Sequence, residues 1–594
     1  MSIFFLIAVF LVLARLFTWQ VINAAELKDK GRRQHRVSSL IPAHRGSILT
    51  SDNFSLVYSS EVWLIWAAPK DIEKKEEVIR TLAPLLAPEP EEPKEATESA
   101  TPIVETTPTP LPTPTPTKEE LVAGEEDRLR KLLTKENAQW VPLKHKITKE
   151  LKAQIEAMKI KGIGFDSEET RGYPEGSMAA HILGFLGKDS AGGDEGYFGL
   201  EGYYNLTLSG SAGEKAWEKD AFGKPILLGI SRKVTALDGI DIKTNIDRTI
   251  QYIVEKNLAL GMQKYAAAAG SVIVMRPRDG AVLALAAAPS FEPEKFEKYE
   301  QSDFLNPAIS QSFEPGSIFK VLIMSSALDA GVVKPEDKCD ICSSSHVVGE
   351  YSISTWDDKY YPNSTPAEII QHSDNVGMVW VGEKLGLDKM YEYLEGFGIG
   401  RLTGIDLQGE ASPALRKKED WAQIDLATAS FGQGIAVTPI QMIRAVNAIA
   451  AGGMVLTPQI VKEVSSINFA QTVDPKYEGR VISKEAAGKM TEMMVNAVKS
   501  GEAKWTAAKG FKVAGKTGTA QIPVAGHYDP SKTNASFIGF APVAPEGSSD
   551  LPEFAMLVTL REPQSSPWAA DTAAPLWFSI AKELFTYFNV QPEK

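Results

Sequence analysis

One stretch limits this chain more than any other: Glu314-Pro315-Gly316-Ser317-Ile318-Phe319-Lys320-Val321-Leu322-Ile323-Met324. A loop ending in Pro-Gly turns into an apolar run, with a serine and a lysine three positions apart at the turn. If the run is a helix, positions i and i+3 share a face, so Ser317 Oγ and Lys320 Nζ can touch. A serine hydroxyl is a weak nucleophile until a base stands within hydrogen-bond reach. A lysine stripped of water and set among cations gives up its proton readily enough to be that base. At a helix start, Ser317 would also have free backbone N–H groups beside it, which favour developing negative charge. Pro315 and Gly316 suit a sharp entry into such a helix. Alone, however, Ser-x-x-Lys describes many solvated helix faces.

Two further patterns follow in order: Ser373-Asp374-Asn375, then Lys516-Thr517-Gly518-Thr519. Each by itself is an ordinary cap or turn sequence. Together, and in this order, they resemble the signature set of penicillin-binding proteins and serine β-lactamases.

Bulk properties narrow the function. A chain of 594 residues is long enough for several domains. Its formal net charge of −13 argues against nucleic-acid binding. Part of that charge is local, since residues 87–120 hold eight acidic residues against two lysines. The only cysteines, Cys339 and Cys342, are spaced C-x-x-C. A metal site would want two more ligands, and beyond His346 no candidate stands near. A local disulfide or two idle thiols fits the pair. The seven histidines form no cluster, so neither a metal nor another cofactor is expected.

The apolar run Ile3–Ile22 is interrupted only by Arg15 and a few uncharged polar residues, and it is long enough to span a bilayer. Trp19 suits the membrane interface. With no basic segment before the run and a poor cleavage site at Asn23-Ala24-Ala25, it reads as a retained anchor rather than a signal peptide. Lys28, Lys30, Arg32, Arg33 and Arg36 follow the run, which by charge alone would hold the bulk of the chain in the cytoplasm. Large downstream domains cross largely regardless of such charges, and the chemistry below needs substrate outside. The expected location is therefore the cell membrane, single-pass, with the catalytic domain on the extracytoplasmic side.

Residues 26–240 read as one module. Ser55–Ala67 is β-rich, and residues 87–120 are a Pro-, Thr- and Glu-rich insertion expected to be disordered. A polar helix around Glu125–Leu133 and an amphipathic stretch Ile147–Met158 follow. His181 lies among small residues and reads as a packed, hydrogen-bonded side chain rather than a catalytic one. Residues 241–594 form a second module. Arg248–Tyr265 has helical spacing. Gly270–Met275 and Ala281–Ala286 flank Pro277-Arg278-Asp279-Gly280, a hairpin signal. Thr365–Gln371 is helical, Thr438-Pro439 opens another helix, and Ala573–Tyr587 is a terminal amphipathic helix. Lys512–Thr519, Ala535–Phe540 and Phe554–Leu560 read as strands. Strands early and late with helices between imply an α+β domain, an antiparallel sheet with helices on its faces.

The chemistry this set allows is acyl transfer. Ser317 attacks a carbonyl while Lys320 takes its proton. Ser373 relays a proton from Lys320 to the leaving nitrogen, and Asn375 holds the lysine and the substrate amide. Lys516, Thr517 and Thr519 favour a substrate carboxylate. Gly518 allows close backbone approach. The N–H of Ser317 and a strand N–H near Thr519 are expected to form the oxyanion hole.

Beyond the anchor (1–25), the chain resembles class B penicillin-binding proteins. Arg45-Gly46-Ser47-Ile48 is similar to their membrane-proximal Arg-Gly-x-Ile segment, and 26–240 is similar to their pedestal. The resemblance implies a peptidoglycan DD-transpeptidase that takes D-Ala-D-Ala stem peptides, forms an acyl-enzyme at Ser317 and is acylated there by β-lactams. Ala514–Ala520, Ala535–Pro542 and Ala573–Pro575 look most like the septal, FtsI-type branch. That branch implies division proteins and a separate SEDS-type glycosyltransferase as partners. Asp374 stands where many class B members carry another small polar residue. The rivals are a DD-carboxypeptidase with the same residues, an elongation-type transpeptidase, a β-lactamase, and a non-catalytic division scaffold. No Glu-x-x-Asn stands between Asn375 and Lys516 to serve a β-lactamase, and the intact motifs oppose a scaffold.

Overall fold

Short apolar runs at both ends of the second module pair into one antiparallel sheet. In the computed structural model these are β1 (Ala269–Met275), β2 (Val282–Ala288), β3 (Ala514–Val524), β4 (His527–Ala541) and β5 (Phe554–Arg561). The structure describes all residues except 1, 28, 29, 31–35, 89–115, 136, 137, 139, 219–230, 525, 526, 546, 547, 549 and 594. The sheet order is β2-β1-β5-β4-β3, which leaves β3, the strand carrying Lys516-Thr517-Gly518-Thr519, at an edge.

Both faces of this sheet are covered, and side-chain alternation divides them. Val272, Val274, Met556, Val558 and Phe537 pack with α1 (Arg248–Tyr265) and the terminal helix Ala573–Tyr587. Their neighbours Ile273, Met275, Leu557 and Ile538 face the opposite way, into a second core. There they meet Phe319 and α2 (Lys320–Asp329), together with Ile440 and Ile443 of α5 (Pro439–Ala450). Between α2 and α5 in the chain come α3 (Pro366–His372) and α4 (Asn375–Leu385).

Capping chemistry sets the helix ends. The Asp247 carboxylate accepts from the N–H groups of Thr249 and Ile250 at the start of α1. Thr365 and Glu368 cap α3 reciprocally, as do Thr438 and Gln441 for α5, each with proline at the first helical position. The expected hairpin and both long helices of the sheet layer are present at their predicted places. The strand predicted at Lys512–Thr519 instead begins at Ala514 and continues to Val524, because it pairs with β4 along its length.

By contact density, residues 59–172 make one compact unit, and residues 1–58 with 173–594 make the other. In the smaller unit, helices Lys75–Leu86 and Lys118–Leu133 pack through Leu82, Leu86, Leu129 and Leu133 in a core shared with Val141 and Ile155. Helix Lys118–Leu133 corrects one expectation. Residues 118–120 were read as part of the disordered insertion, but Thr117 and Glu120 form a capping box that starts the helix there. The expectation of disorder for 89–115 lies outside the described residues.

In the larger unit, Ser2–Phe17 is helical and continues through Thr18–Ile22. These 21 residues have a mean hydropathy of 2.2 and bury nothing, and among the described residues they make the one helix long and apolar enough to cross a membrane. Arg45 is buried and paired with Glu201. His181 is buried as expected, its Nε2 3.0 Å from the Asp303 carbonyl and its ring edge-on to Phe291. Burial holds it down at about 4, so it is neutral. Cys339 and Cys342 form a disulfide, which selects one of the two readings of that pair.

Candidate active site

Pro315 and Gly316 turn the chain so that Ser317 lies in a 3₁₀ turn, Gly316–Phe319, and the α-helix begins only at Lys320. The expected α-helical first turn is therefore wound more tightly, and side chains three apart nearly eclipse. Gly316 has φ +54, and a Cβ there would meet Ala520 Cβ at 3.1 Å and the Thr519 carbonyl oxygen at 3.2 Å. Only glycine accommodates both the backbone and the neighbour. The turn is thus pressed onto β3.

Lys320 is fully buried. Its Nζ donates to the Ser373 carbonyl at 2.5 Å, to Asn375 Oδ1 at 2.8 Å and, more weakly, to Ser373 Oγ at 3.3 Å. These three acceptors use all the donors of an ammonium. They come from the junction of α3 and α4, where Ser373 ends one helix with φ +57 and Asp374 begins the next by accepting the Gly377 N–H at 3.1 Å. The left-handed serine turns its carbonyl and hydroxyl to the same lysine. Asn375 is itself held, donating from Nδ2 to the Ser354 carbonyl at 3.2 Å. The predicted Ser317–Lys320 pair is one turn of backbone, yet the lysine's hydrogen bonds run to the second motif.

The third motif joins through the same hydroxyl. Lys516 Nζ donates to Ser373 Oγ at 3.0 Å, and to the carbonyl and Oγ1 of Thr517 at 3.1 and 3.2 Å. Ser373 Oγ therefore lies between two lysines. Burial is the larger cause that pulls Lys320 down, to about 7, and the Lys516 charge adds to it, while Asp374 and Glu502 oppose. Burial also lowers Lys516, again against Glu502. Asp374 moves upward, chiefly through burial.

Thr519 Oγ1 accepts the Ala569 N–H at 3.0 Å. Gly518 also has a packing reason. A Cβ at this position would meet Ser536 Oγ at 2.7 Å, Ile318 Cγ2 at 2.8 Å and the Pro315 carbonyl oxygen at 3.1 Å. Its bare Cα lets β3 lie against the Ser317 turn.

Ser317, Ser373, Thr517 and Thr519 line one cavity of about 350 Å³, with Trp356, Glu502 and Trp568. A larger cavity of about 490 Å³, between Gln311–Glu314 and Ile522–Pro523, holds none of the predicted site residues. The predicted site residues gather at the smaller one. Sequence reading missed Trp356, Trp568 and Glu502. The two tryptophans carried a signal, being large aromatics in polar loops, and their rings lie 5.2 Å apart at the cavity mouth. Glu502 follows Gly501 after a helix end and carried none.

Comparison with known proteins agrees with this geometry. Residues 270–585 match the penicillin binding protein transpeptidase domain, and residues 40–244 match the penicillin-binding protein dimerisation domain. The chain is 32% identical to stage V sporulation protein D of Bacillus subtilis, over 84% of this chain and 78% of that protein. It is 28% identical to peptidoglycan D,D-transpeptidase FtsI of Escherichia coli, over 76% and 73%. Among solved structures, penicillin binding protein 2X of Streptococcus thermophilus shares the fold with a TM-score of 0.74 at 24% identity, covering 93% of this chain and 80% of that one.

Proposed function

The chain belongs to the penicillin-binding transpeptidases, class B, and from that premise we propose that Ser317 is the nucleophile with which it cross-links peptidoglycan stem peptides during septal wall synthesis. The observation that carries this reading is Lys320: a fully buried lysine, pulled down to about 7 and bonded to Asn375 and to Ser373, which lines the Ser317 cavity.

The steps follow from the side chains. The Ser317 Oγ–H proton passes to neutral Lys320 as Oγ bonds to the carbonyl carbon of the penultimate D-Ala. The C–N bond to the terminal D-Ala then breaks, and Ser373 hands its proton to the leaving amine while taking the one that Lys320 holds, which leaves Lys320 neutral again. An acceptor amine next bonds to the acyl carbon and gives up a proton that reaches Lys320 through Ser373, and the Ser317 Oγ–acyl bond breaks as Lys320 returns that proton to Oγ. Asn375 fixes Lys320 and faces the substrate amide. The Lys516 charge and the Thr519 hydroxyl favour the terminal carboxylate, while the Thr517 hydroxyl, whose proton goes to Glu502, holds Lys516 in place. Gly518 brings the edge strand β3 against the nucleophile turn, so that an extended stem peptide can lie along it. β-Lactams, which present a carbonyl and a carboxylate in the same relation, acylate Ser317.

Further parts of the reading rest on the family and the anchor. Residues 1–25 anchor the protein, 26–240 with the 87–120 insertion form the pedestal, and 241–594 form the catalytic domain. The catalytic domain works outside the cytoplasmic membrane, where the stem peptides are. A SEDS-type glycosyltransferase and other division proteins are the partners. The relative named for sporulation supports a second assignment, to a specialised wall outside vegetative division.

The test is intact-mass analysis of residues 26–594 after benzylpenicillin. A stable adduct on a peptide containing Ser317, absent from Ser317→Ala, supports the reading. No adduct on the wild-type protein would overturn it. Release of D-Ala without transfer to an added amine would make the enzyme a carboxypeptidase instead.

A further inference from the structure

The second and third motifs are joined by an unbroken line of hydrogen bonds that ends on a residue outside both. Thr517 Oγ1 donates to Glu502 Oε2 at 2.8 Å. Lys516 Nζ lies 3.2 Å from that same Thr517 Oγ1 and 3.0 Å from Ser373 Oγ, and Lys320 Nζ lies 3.3 Å from Ser373 Oγ. Glu502 also lines the Ser317 cavity.

An ionised carboxylate only accepts hydrogen bonds. Thr517 has one hydroxyl proton, and Glu502 takes it. Thr517 Oγ1 can then only accept from Lys516. Lys516 spends its three donors on Thr517 Oγ1, the Thr517 carbonyl and Ser373 Oγ. Ser373 Oγ accepts from Lys516 on one side and Lys320 on the other. Its own proton is therefore free to point into the cavity, where a leaving nitrogen needs one. The carboxylate at the far end thus fixes the Thr517 proton and leaves Thr517 Oγ1 as an acceptor for Lys516, while the lysines, which can only donate, fix the remaining bonds.

We propose that Glu502 is a positioning residue for the acyl transfer: its carboxylate holds the Thr517 hydroxyl as the acceptor that seats Lys516 beside Ser373, and its charge acts on both lysines. The inference rests on Ser317 and Lys320 acting as proposed above. The charged groups around the two lysines are each other, Asp374 on the α3–α4 junction, Glu502 on the turn before β3, and His372 and Asp571 farther out. Of the carboxylates, Glu502 is the one that acts on both lysines. Removing its charge leaves them as two mutually repelling cations, so both lose protons more easily.

The test is the pH profile of acylation by a fluorescent penicillin, for wild type, Glu502→Gln, Glu502→Asp and Ser317→Ala, with thermal unfolding of each. Glutamine keeps an acceptor oxygen but removes the charge and can also donate. The expected result is a Glu502→Gln profile whose midpoint moves to lower pH by about one unit. Its plateau rate is expected to fall roughly tenfold, as Thr517 Oγ1 is no longer held as the acceptor that seats Lys516 beside Ser373. Glu502→Asp is expected to keep the wild-type midpoint. If Glu502→Gln does not fold, Glu502→Ala reads the same shift. A neutral variant that folds and keeps the wild-type midpoint would overturn the proposal. So would an equal shift in Glu502→Asp, which would make the residue a matter of packing. Failure of the Ser317 reading looks different: the wild type itself would not label, or Ser317→Ala would label equally.

Discussion

Arg45 and Glu201 form an ion pair closed off from solvent, with Nε 2.8 Å and Nη2 2.5 Å from the same carboxylate oxygen Oε2. The guanidinium reaches further, to Asn205 Oδ1 at 2.9 Å and the Glu201 carbonyl at 3.3 Å. Arg45 lies just beyond the anchor and Glu201 in a short helix over 150 residues away. The pair therefore ties the emerging chain to the body of the larger unit. Truncating Arg45 takes the ion-pair partner from a buried carboxylate, and breaking a buried pair costs about 3–5 kcal/mol. Arg45→Ala should lower the stability of that unit by this amount in denaturant unfolding. Arg45→Lys should recover only part of the loss, because an ammonium cannot make the fork. Acylation per folded molecule should stay at the wild-type rate in both.

As the base proposed for Ser317, Lys320 sets the expected pH dependence of acylation. Burial and the Lys516 charge bring it down to about 7, and only its neutral form accepts the Ser317 proton. The acylation rate should therefore be flat above about pH 8 and fall roughly tenfold per unit well below pH 7. An ordinary exposed lysine would still be protonated at pH 9 and would give a profile rising through that range. Stopped-flow acylation between pH 5.5 and 9 distinguishes the two. Lys320→Met should remove the pH-dependent limb along with most of the rate.

Trp356 and Trp568 flank the cavity from two different loops, with ring planes tilted 60° and centroids 5.2 Å apart. Trp356 is tied down by its Nε1, which donates to the His372 carbonyl at 3.3 Å, next to Ser373. The pair forms an apolar wall for whatever side group a donor carries past the reacting carbonyl. An aromatic contact of this kind is worth about 0.5–1.5 kcal/mol. Trp568→Ala should weaken the apparent affinity for β-lactams with aromatic side groups roughly fivefold and leave the limiting acylation rate nearly unchanged. Comparing such a β-lactam with one that lacks the ring isolates the wall from general loosening.

Most of the site could be read from the chain because its motifs are local. Ser317 and Lys320 share one turn, Ser373 and Asn375 share one helix junction, and Lys516 to Thr519 share one strand. What brings them together is long-range packing, and there the sequence was mute. It could suggest that Lys320 touches Ser317 but not that three other acceptors would claim its protons. It offered a substrate reason for Gly518 but not the packing one, the Ser536 and Ile318 side chains that a Cβ would meet. Glu502 reaches Thr517 across a turn that has no pattern of its own. The sheet was legible wherever an apolar run was continuous, as in β1 and β5. It was less so in β3, whose far half runs through Gln521 and Pro523 and is held as a strand by its pairing with β4.

The insertion in the smaller unit gives a test of where folded structure begins. Thr117 Oγ1 accepts the Glu120 N–H at 3.3 Å, and Glu120 Oε2 accepts the Thr117 N–H at 2.8 Å. This box opens the helix whose Leu129 and Leu133 enter the small core against Leu82 and Leu86. Removing residues 89–115 joins Pro88 to Pro116 and keeps the box, so both unfolding and acylation should match the wild type. Extending the deletion through Lys118 removes Thr117 and leaves the first-turn N–H groups without their acceptor. That cap is worth about 1 kcal/mol, and the loss should fall on residues 59–172 alone. Hydrogen exchange should then show faster exchange in Glu119–Leu133 for the longer deletion, with the peptides around Ser317 and Lys516 unchanged. Equal exchange in the two deletions would mean that the helix start is held by packing rather than by its cap. A slower acylation rate in the shorter deletion would mean that residues 89–115 serve the catalytic cavity.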